Sequence, residues 1–356
     1  MASIVNFNNF SFTAEQIRDI NELVFDELLH APELSYIHTL FSGIVYDKEI
    51  GFISGSGLVG KRGQGCSPET QDWNINTRKV LWQPKEWEVF IDECAEDIKS
   101  TAAVYALNKG TRIDDLTDTD YMAIVVKVLT EAVKDFMYRL AWFNDTDAKN
   151  YHSSSAPDGI ITAGIDTGYF NIIDGLWKQI FTAITGGAAN VTIAANAKTT
   201  KALQLSSLTA DDAYALLSDM YYKAPVEMRG KGTMRFLVTQ SIADAYQQYL
   251  TGKGIESTYK NLVDGIPSLS FLGVPVIPMP IWDSMIQSYN DLGTTFYKPH
   301  RAVLVEQANL AIGTPSEEAF GEFDIWYDKT SRKNYVLLKD KLDAKLLTAK
   351  RIVVGL

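Results

Sequence analysis

Apolar positions along this chain switch between helical and strand spacing, and the switches divide it into segments. Ile17, Ile20, Val24 and Leu28 fall on one face of a helix opened by the capping box Thr13-Ala-Glu-Gln16. That helix is expected to stop before Pro32, and Tyr36 to Ser54 reads as strand-like. Ile75 to Leu81 and Trp87 to Ile91 read as return strands parted by Gln83-Pro84-Lys85. The strongest helical period covers Thr119 to Trp142, with Ala123, Val126, Thr130, Val133 and Met137 on one face and Val125, Val128, Leu129, Ala132 and Phe136 widening it. At about 1.5 Å per residue such a helix runs about 35 Å, and its broad apolar face predicts burial on more than one side.

The rest of the chain mixes both periods. A helix is expected near Asp174 to Thr185, and the Gly/Ala/Thr-rich stretch Gly186 to Thr200 reads as a surface loop or insertion. Thr209 caps a predicted helix over Ala210 to Tyr222, Met234 to Thr239 reads as a strand, and Ser241 is expected to cap a helix reaching Leu250. Later strands are predicted over Leu269 to Pro280, Arg301 to Val305, Phe323 to Tyr327, Tyr335 to Lys339 and Lys345 to Val354. Pro275, Pro278 and Pro280 would confine their segment to an edge or an irregular strand. Strands arrive in clusters rather than alternating with helices, so the class is α+β with interleaved domains.

One stretch fits neither period. Gly51, Gly55, Gly57, Gly60, Gly63 and Gly65 fall within fifteen residues that also hold Lys61 and Arg62. Gly55, Gly57 and Gly60 satisfy G-x-G-x-x-G, and Gly55 to Lys61 satisfies G-x-x-x-x-G-K. Both nucleotide loops work by aiming a helix N-terminus at phosphate, yet Arg62 to Trp73 has no apolar period and contains Pro68. Arg62 also stands where a P-loop needs Ser or Thr for magnesium. The segment reads as a long excursion between two strands that touches a neighbouring subunit through its tip. Trp73, Trp82 and Trp87 flank it, and that much aromatic surface must be buried, part of it only on assembly.

Composition narrows the field. The 356 residues exceed one ordinary domain, and 46% hydrophobic content supplies a large core. With 33 basic against 44 acidic residues the net charge is −11, which argues against a reader of nucleic-acid sequence and suits a wall around DNA. Cys66 and Cys94 lack a zinc or disulfide pattern and fit a reducing compartment. The N-terminus has no secretory pattern, and no run of about 18 apolar residues spans a membrane. His30, His38, His152 and His300 sit in no catalytic or metal spacing, and Ser54-Gly-Ser-Gly57 lacks the helix of a nucleophile elbow. Asp114, Asp115, Asp118 and Asp120 lack the Gly and Glu of a calcium loop and read as helix capping, and Asp145 and Asp147 are no better as metal ligands. No catalytic residue, cofactor site or metal site is predicted.

The order of elements, with several local patterns, resembles the major capsid proteins of tailed bacteriophages, the Hong Kong 97 fold. Ile173-Asp-Gly-Leu-Trp-Lys-Gln-Ile180 is similar to the family's "fdGllk" helix, and Met234 to Ala243 to its "wvmn" strand and following helix. Phe271-Leu-Gly-Val-Pro-Val-Ile-Pro-Met-Pro280 resembles its "l.G.PVv" strand, and Arg301 to Gly313 a late surface strand. The resemblance spans nearly the whole chain through soft patterns. It implies an N-arm over 1–40, an extended β-hairpin E-loop over 41–92, and a peripheral domain with a spine helix over 93–144. An axial domain over 145–310 and C-terminal strands over 311–356 that complete the peripheral domain would follow. It implies a self-assembling subunit forming pentamers and hexamers of an icosahedral head, enclosing double-stranded DNA without sequence-specific binding or a membrane. Scaffold, portal and decoration proteins are implied partners, and the virion, built in a bacterial cytoplasm, the implied location. Some relatives crosslink a loop lysine to an asparagine of a neighbour; Lys61 is in that loop, and no partner asparagine stands out. The competing readings are an encapsulin-like cargo shell, another phage structural protein such as a tail tube, and a nucleotide-binding enzyme using Gly55 to Lys61.

Overall fold

The computed structural model describes residues 34–56, 58, 62, 73–94, 120–152, 159–229, 232–253, 262–263, 266–267, 269–315 and 322–356. The helix expected over Thr13 to Leu28 and the acidic residues Asp114, Asp115 and Asp118 lie outside them. A short helix α1 (Leu34–Ile37), where strand is expected, leads into β1 (Thr39–Phe41). The strands β2 (Lys48–Ser56), β3 (Asn74–Trp82) and β4 (Lys85–Cys94) contain the predicted return strands and extend them. The long helix α2 (Asp120–Phe143) begins and ends one residue later than its period predicts. Leu129, Val133, Tyr138, Leu140, Ala141 and Trp142 are buried along it, whereas Ala132, assigned to the same face, is exposed.

The middle of the chain adds a small parallel pair, β5 (Lys149–Asn150) and β6 (Ile160–Ile161), then α3 (Leu176–Thr185) and β7 (Ala189–Val191). Helices α4 (Lys201–Ser206), α5 (Ala210–Lys223) and α6 (Val226–Arg229) precede β8 (Met234–Val238) and α7 (Gln240–Gly252). Short strands β9 (Leu262–Val263), β10 (Ile266–Pro267), β11 (Leu269–Phe271) and β12 (Val274–Pro278) lead to α8 (Pro280–Tyr289). The chain closes with β13 (Ala302–Glu306), β14 (Leu310–Gly313), β15 (Glu322–Asp328), β16 (Lys333–Leu346) and β17 (Ile352–Gly355).

Two sheets organise these elements. In the first, β16 is the central strand: Lys333 to Leu342 pair with β4, Lys333 to Lys339 with β15, and Asp343 to Leu346 with β14, which carries β1 on its far side. The second runs β11-β12-β8-β13-β17-β7, so the last strand of the chain returns to a sheet built from the middle. A main core joins α2, α3 and α8 to inward residues of both sheets, centred on Trp142, Trp177 and Trp282, whose ring centroids lie 4.6–5.5 Å apart. A second core fills the opposite face of the six-stranded sheet beneath α5 and α7. A third, smaller cluster of Ile44, Trp82, Ala311 and Leu347 sits at the foot of the β2–β3 hairpin.

Local chemistry explains most boundaries. Thr209 Oγ1 accepts from the Asp212 amide and Asp212 accepts from the Thr209 amide, a capping box that starts α5 as expected. Four expectations are corrected. Gly186 to Thr200 is not a plain surface loop: β7 lies in it and pairs parallel with β17, and Ile193 and Ala195 are buried. The Pro-rich segment is not an edge, since β12 lies between β11 and β8; Pro275 precedes the residues that pair with β8, and Pro278 ends the strand. Pro280 is at the first turn of α8, a helix with no strand character, where proline's missing N–H costs nothing. Ser241 does not cap α7; Thr239 holds that position, and the Ser241 hydroxyl bonds Thr239 and His300 instead.

Candidate assembly surface

The β2–β3 hairpin is the longest of the two-stranded pairs that lie outside both sheets among the described residues. Its strands pair only with each other, from Lys48 opposite Trp82 at the foot to Ser56 opposite Asn74 near the tip. Nine residues at about 3.3 Å each make a ribbon of about 30 Å. A two-stranded ribbon of this kind is marginally stable alone in water, so its foot matters. Trp82 is fully buried against Phe41 and Gly313, the Gln83 amide donates to the buried Asp343 carboxylate (2.7 Å), and Arg78 reaches Thr348 (2.9 Å) while stacking over Phe52. Burial pushes the Asp343 carboxyl up, against the pull of Lys345 and the amides that bond it.

Alternation gives the ribbon two unequal faces. Ile50, Phe52, Val80 and Trp82 lean on the small foot cluster. On the other face Ile53 is 77% and Ile75 60% exposed. Leu58, beyond the last paired residue, is 90% exposed. Three large apolar side chains are thus exposed on a thin ribbon with two edges.

The eight predicted tip residues separate accordingly. Gly51 and Gly55 are strand residues of β2, and Arg62 is exposed; Gly57, Gly60, Lys61, Gly63 and Gly65 lie outside the described residues. A Cβ on Gly55 would stand 2.5 Å from Trp73 Cζ2, so this glycine admits the indole, whereas Gly51 has open space. Gly55 therefore sits in a paired strand against an indole, a setting unlike the loop that opens a phosphate-binding helix. Of the three tryptophans around the excursion, Trp82 and Trp87 are buried within the subunit and Trp73 is half-exposed.

Elsewhere, polar groups serve packing. His38 is buried and its Nε2 accepts from Trp142 Nε1 (2.9 Å). His300 Nε2 lies 2.9 Å from the Gln204 carbonyl and so donates to it, which leaves Nδ1 to accept the Ser241 hydroxyl at 2.6 Å. Burial pushes His300 down and keeps it neutral, so this serine–histidine pair ties the start of α7 to the loop before β13. Asp283 accepts the Gln240 amide (2.7 Å), yet burial pushes its carboxyl up to about 6. Arg301 is fully buried, donates to the carbonyls of Tyr297 and Lys298 and to Asn290, and lies 5.0 Å from the Trp177 ring centre. Lys178 is gripped by Asp145, Asp147 and Asp174 at 2.6–2.9 Å; against the pull of burial, these carboxylates hold its ammonium above the usual range. Asp145 and Asp147, just beyond α2, thus hold α3 through Lys178.

Among the described residues no group of three or more His, Cys, Asp or Glu could hold a metal ion, and no helix is long and apolar enough to cross a membrane. Two cavities lined by described residues hold about 40 and 140 Å³, against about 300–1,000 Å³ for a typical small-molecule site.

No protein-family model matches the chain, and no curated protein sequence matches it. Solved structures do. A chain from Gordonia phage Cozz superposes with a TM-score of 0.55 at 11% identity, covering 95% of this chain and 90% of that one. A chain from Mycobacterium phage Ogopogo gives 0.51 at 8% identity, covering 93% and 94%. The capsid of Myoviridae phage XM1 gives 0.49 at 10% identity, covering 98% and 100%. The chain has the mixed helix-and-sheet fold of phage capsid proteins, over nearly its full length.

Proposed function

We propose that this chain is the major capsid subunit of a tailed bacteriophage, assembling as pentamers and hexamers into an icosahedral head around double-stranded DNA. The observation that carries the reading is the projecting β2–β3 hairpin, whose free face exposes Ile53 and Ile75 while its foot is locked by Trp82. The likeness in fold to phage chains over more than nine-tenths of the molecule supports it. In this reading the hairpin is the E-loop within 41–92 and α2 is the spine helix of the 93–144 segment. The 145–310 segment is the axial domain, and 311–356 completes the peripheral domain except for β17, which joins the six-stranded sheet. The tip, from Gly51 and Gly55 through Gly57, Gly60, Lys61, Arg62, Gly63 and Gly65, is the assembly loop. The role is structural and non-enzymatic, and its place is the virion.

Shell subunits need shared interfaces above about 2,000 Å², and an arm or ribbon extends reach without enlarging the core. Closed symmetry then multiplies modest contacts. The test is light scattering with negative-stain imaging of the purified chain. Megadalton shells, or pentamers and hexamers that convert to them, are expected; a monomer or dimer indifferent to concentration, salt and crowding overturns the reading. Ile53→Ser with Ile75→Ser should leave the unfolding free energy within about 1 kcal/mol of the parent, because both residues are exposed, and should block shell formation.

A further inference from the structure

The face of the first sheet that turns away from the main core carries a second organised surface, independent of the shell reading. Register sets its rows across β15, β16 and β4: Asp324, Leu337 and Phe90 in one, Trp326, Tyr335 and Asp92 in the next, with Glu88 beside Lys339. Phe90 is 56% and Trp326 37% exposed. Tyr335 lies between them, 5.3 Å from Phe90 with the rings parallel to 1°, and 5.4 Å from Trp326 at 25°. Val89, Ile91, Val336 and Leu338 on the reverse of the same strands pack into the main core, so the aromatic trio cannot turn inward without flipping the sheet.

The surrounding charge is acidic. Lys333 is paired with Asp92 and Lys339 with Glu86, while Lys341, the third lysine of β16 on this face, lies toward the far end over the Tyr46 ring, away from the aromatic trio. Glu88 and Asp324 are exposed and have no ion-pair partner among the described residues. Asp328, two residues beyond Trp326 on the same face, is held in place by the amides of Thr330 and Ser331.

We propose that this face docks a cationic, arginine-bearing segment of a partner protein. A guanidinium lies flat on an indole or phenol ring and can at the same time take a carboxylate in two parallel hydrogen bonds. Asp324 and Asp328 flank Trp326 along β15, each about 7 Å away at two residues per step, within reach of an arginine stacked on that ring. The rings are already stacked on one another, so binding freezes little further rotamer freedom. Nucleic acid also stacks on aromatic rings, but its phosphates would meet unpaired carboxylates here.

The experiment measures binding of a fluorescent arginine–glycine peptide to the full chain. The same peptide with lysine for arginine, or glutamate for arginine, serves as comparison. Phe90→Ala with Trp326→Ala should weaken the arginine peptide at least about tenfold, the loss of one or two cation–π contacts. Glu88→Gln with Asp324→Asn, surface changes that spare the fold, should weaken it about threefold to tenfold. Asp211→Asn with Asp219→Asn removes the same charge from exposed positions on α5 and should change nothing. Equal loss in that control pair, or equal affinity for the lysine peptide, would reduce the effect to general acidity and overturn the proposal. No measurable binding overturns it outright. Shell formation lost in Phe90→Ala with Trp326→Ala, while peptide binding persists, would assign the face to a second copy of the chain instead.

Discussion

Gly313 lies under the face of Trp82, where an added Cβ would stand 2.8 Å from Cε3 and 3.3 Å from Ile44 Cγ1. The indole is fully buried and cannot swing away, so Gly313→Ala should cost about 1–3 kcal/mol by overpacking. Gly51→Ala, with nothing within 4 Å, should be near neutral, and urea midpoints of the two variants would separate these outcomes. Asp283 offers a second single-residue test. Its carboxyl titrates near 3.8 when unfolded and about 6 when folded, so the native state binds the proton more tightly. The stability this contributes is complete below pH 3.8 and is lost as pH rises through 6. Relative to Asp283→Asn, the parent should therefore gain about 2 kcal/mol between pH 7 and pH 4, at about 1.4 kcal/mol per unit of separation between the two pKa values. Unfolding curves of both proteins at several pH values cancel the other titrating groups, His300 included. A difference that is flat, or of opposite sign, would refute the assignment.

Between elements, the join that matters most to the first sheet is made by Gln179 of α3. Its Nε2 donates to the Ala344 carbonyl (2.7 Å) and its Oε1 accepts from the Leu346 amide (2.9 Å), clipping the helix to the end of β16. Gln179→Leu keeps the volume but leaves both backbone groups without this partner, at a cost of about 2–4 kcal/mol. Amide exchange should quicken at Leu346 before it does at Val336, which the flanking strands protect. Sequence periodicity reads such elements well when local signals agree. Thr209 announced α5, and the spacing of apolar residues placed α2 within one residue. It fails where the signal is shared, as at Ser241, whose hydroxyl was claimed by His300 from 59 residues away. It also fails at Pro280, where one proline can end a strand or start a helix.

For the molecule as a whole, the hairpin and the body are separate problems of stability. Gly55 to Gly65 includes none of the described residues of the three buried clusters, so the subunit lacking it should unfold at the same denaturant concentration as the parent. In the proposed role that deletion stops shells from forming, and normal particles from it would refute the assignment of the loop. The net charge of −11 opposes bringing many copies together, so shell formation should begin at lower protein concentration as salt is raised.

What the sequence determined by itself was local: the helix capped by Thr209, the long buried helix, the strands flanking the glycine run, and the mismatch of that run with a phosphate loop. Each rests on contacts between residues close along the chain, which periodicity and capping record directly. Only the tertiary structure decided that Gly186 to Thr200 supplies an edge strand to β17, that Trp73 stays half-exposed while Trp82 is buried, and that Phe90, Trp326 and Tyr335 form one aromatic surface. Those outcomes join residues up to 245 positions apart, as in Phe90 with Tyr335. No local pattern encodes such a meeting, because it follows from register between strands and from which faces the cores leave uncovered.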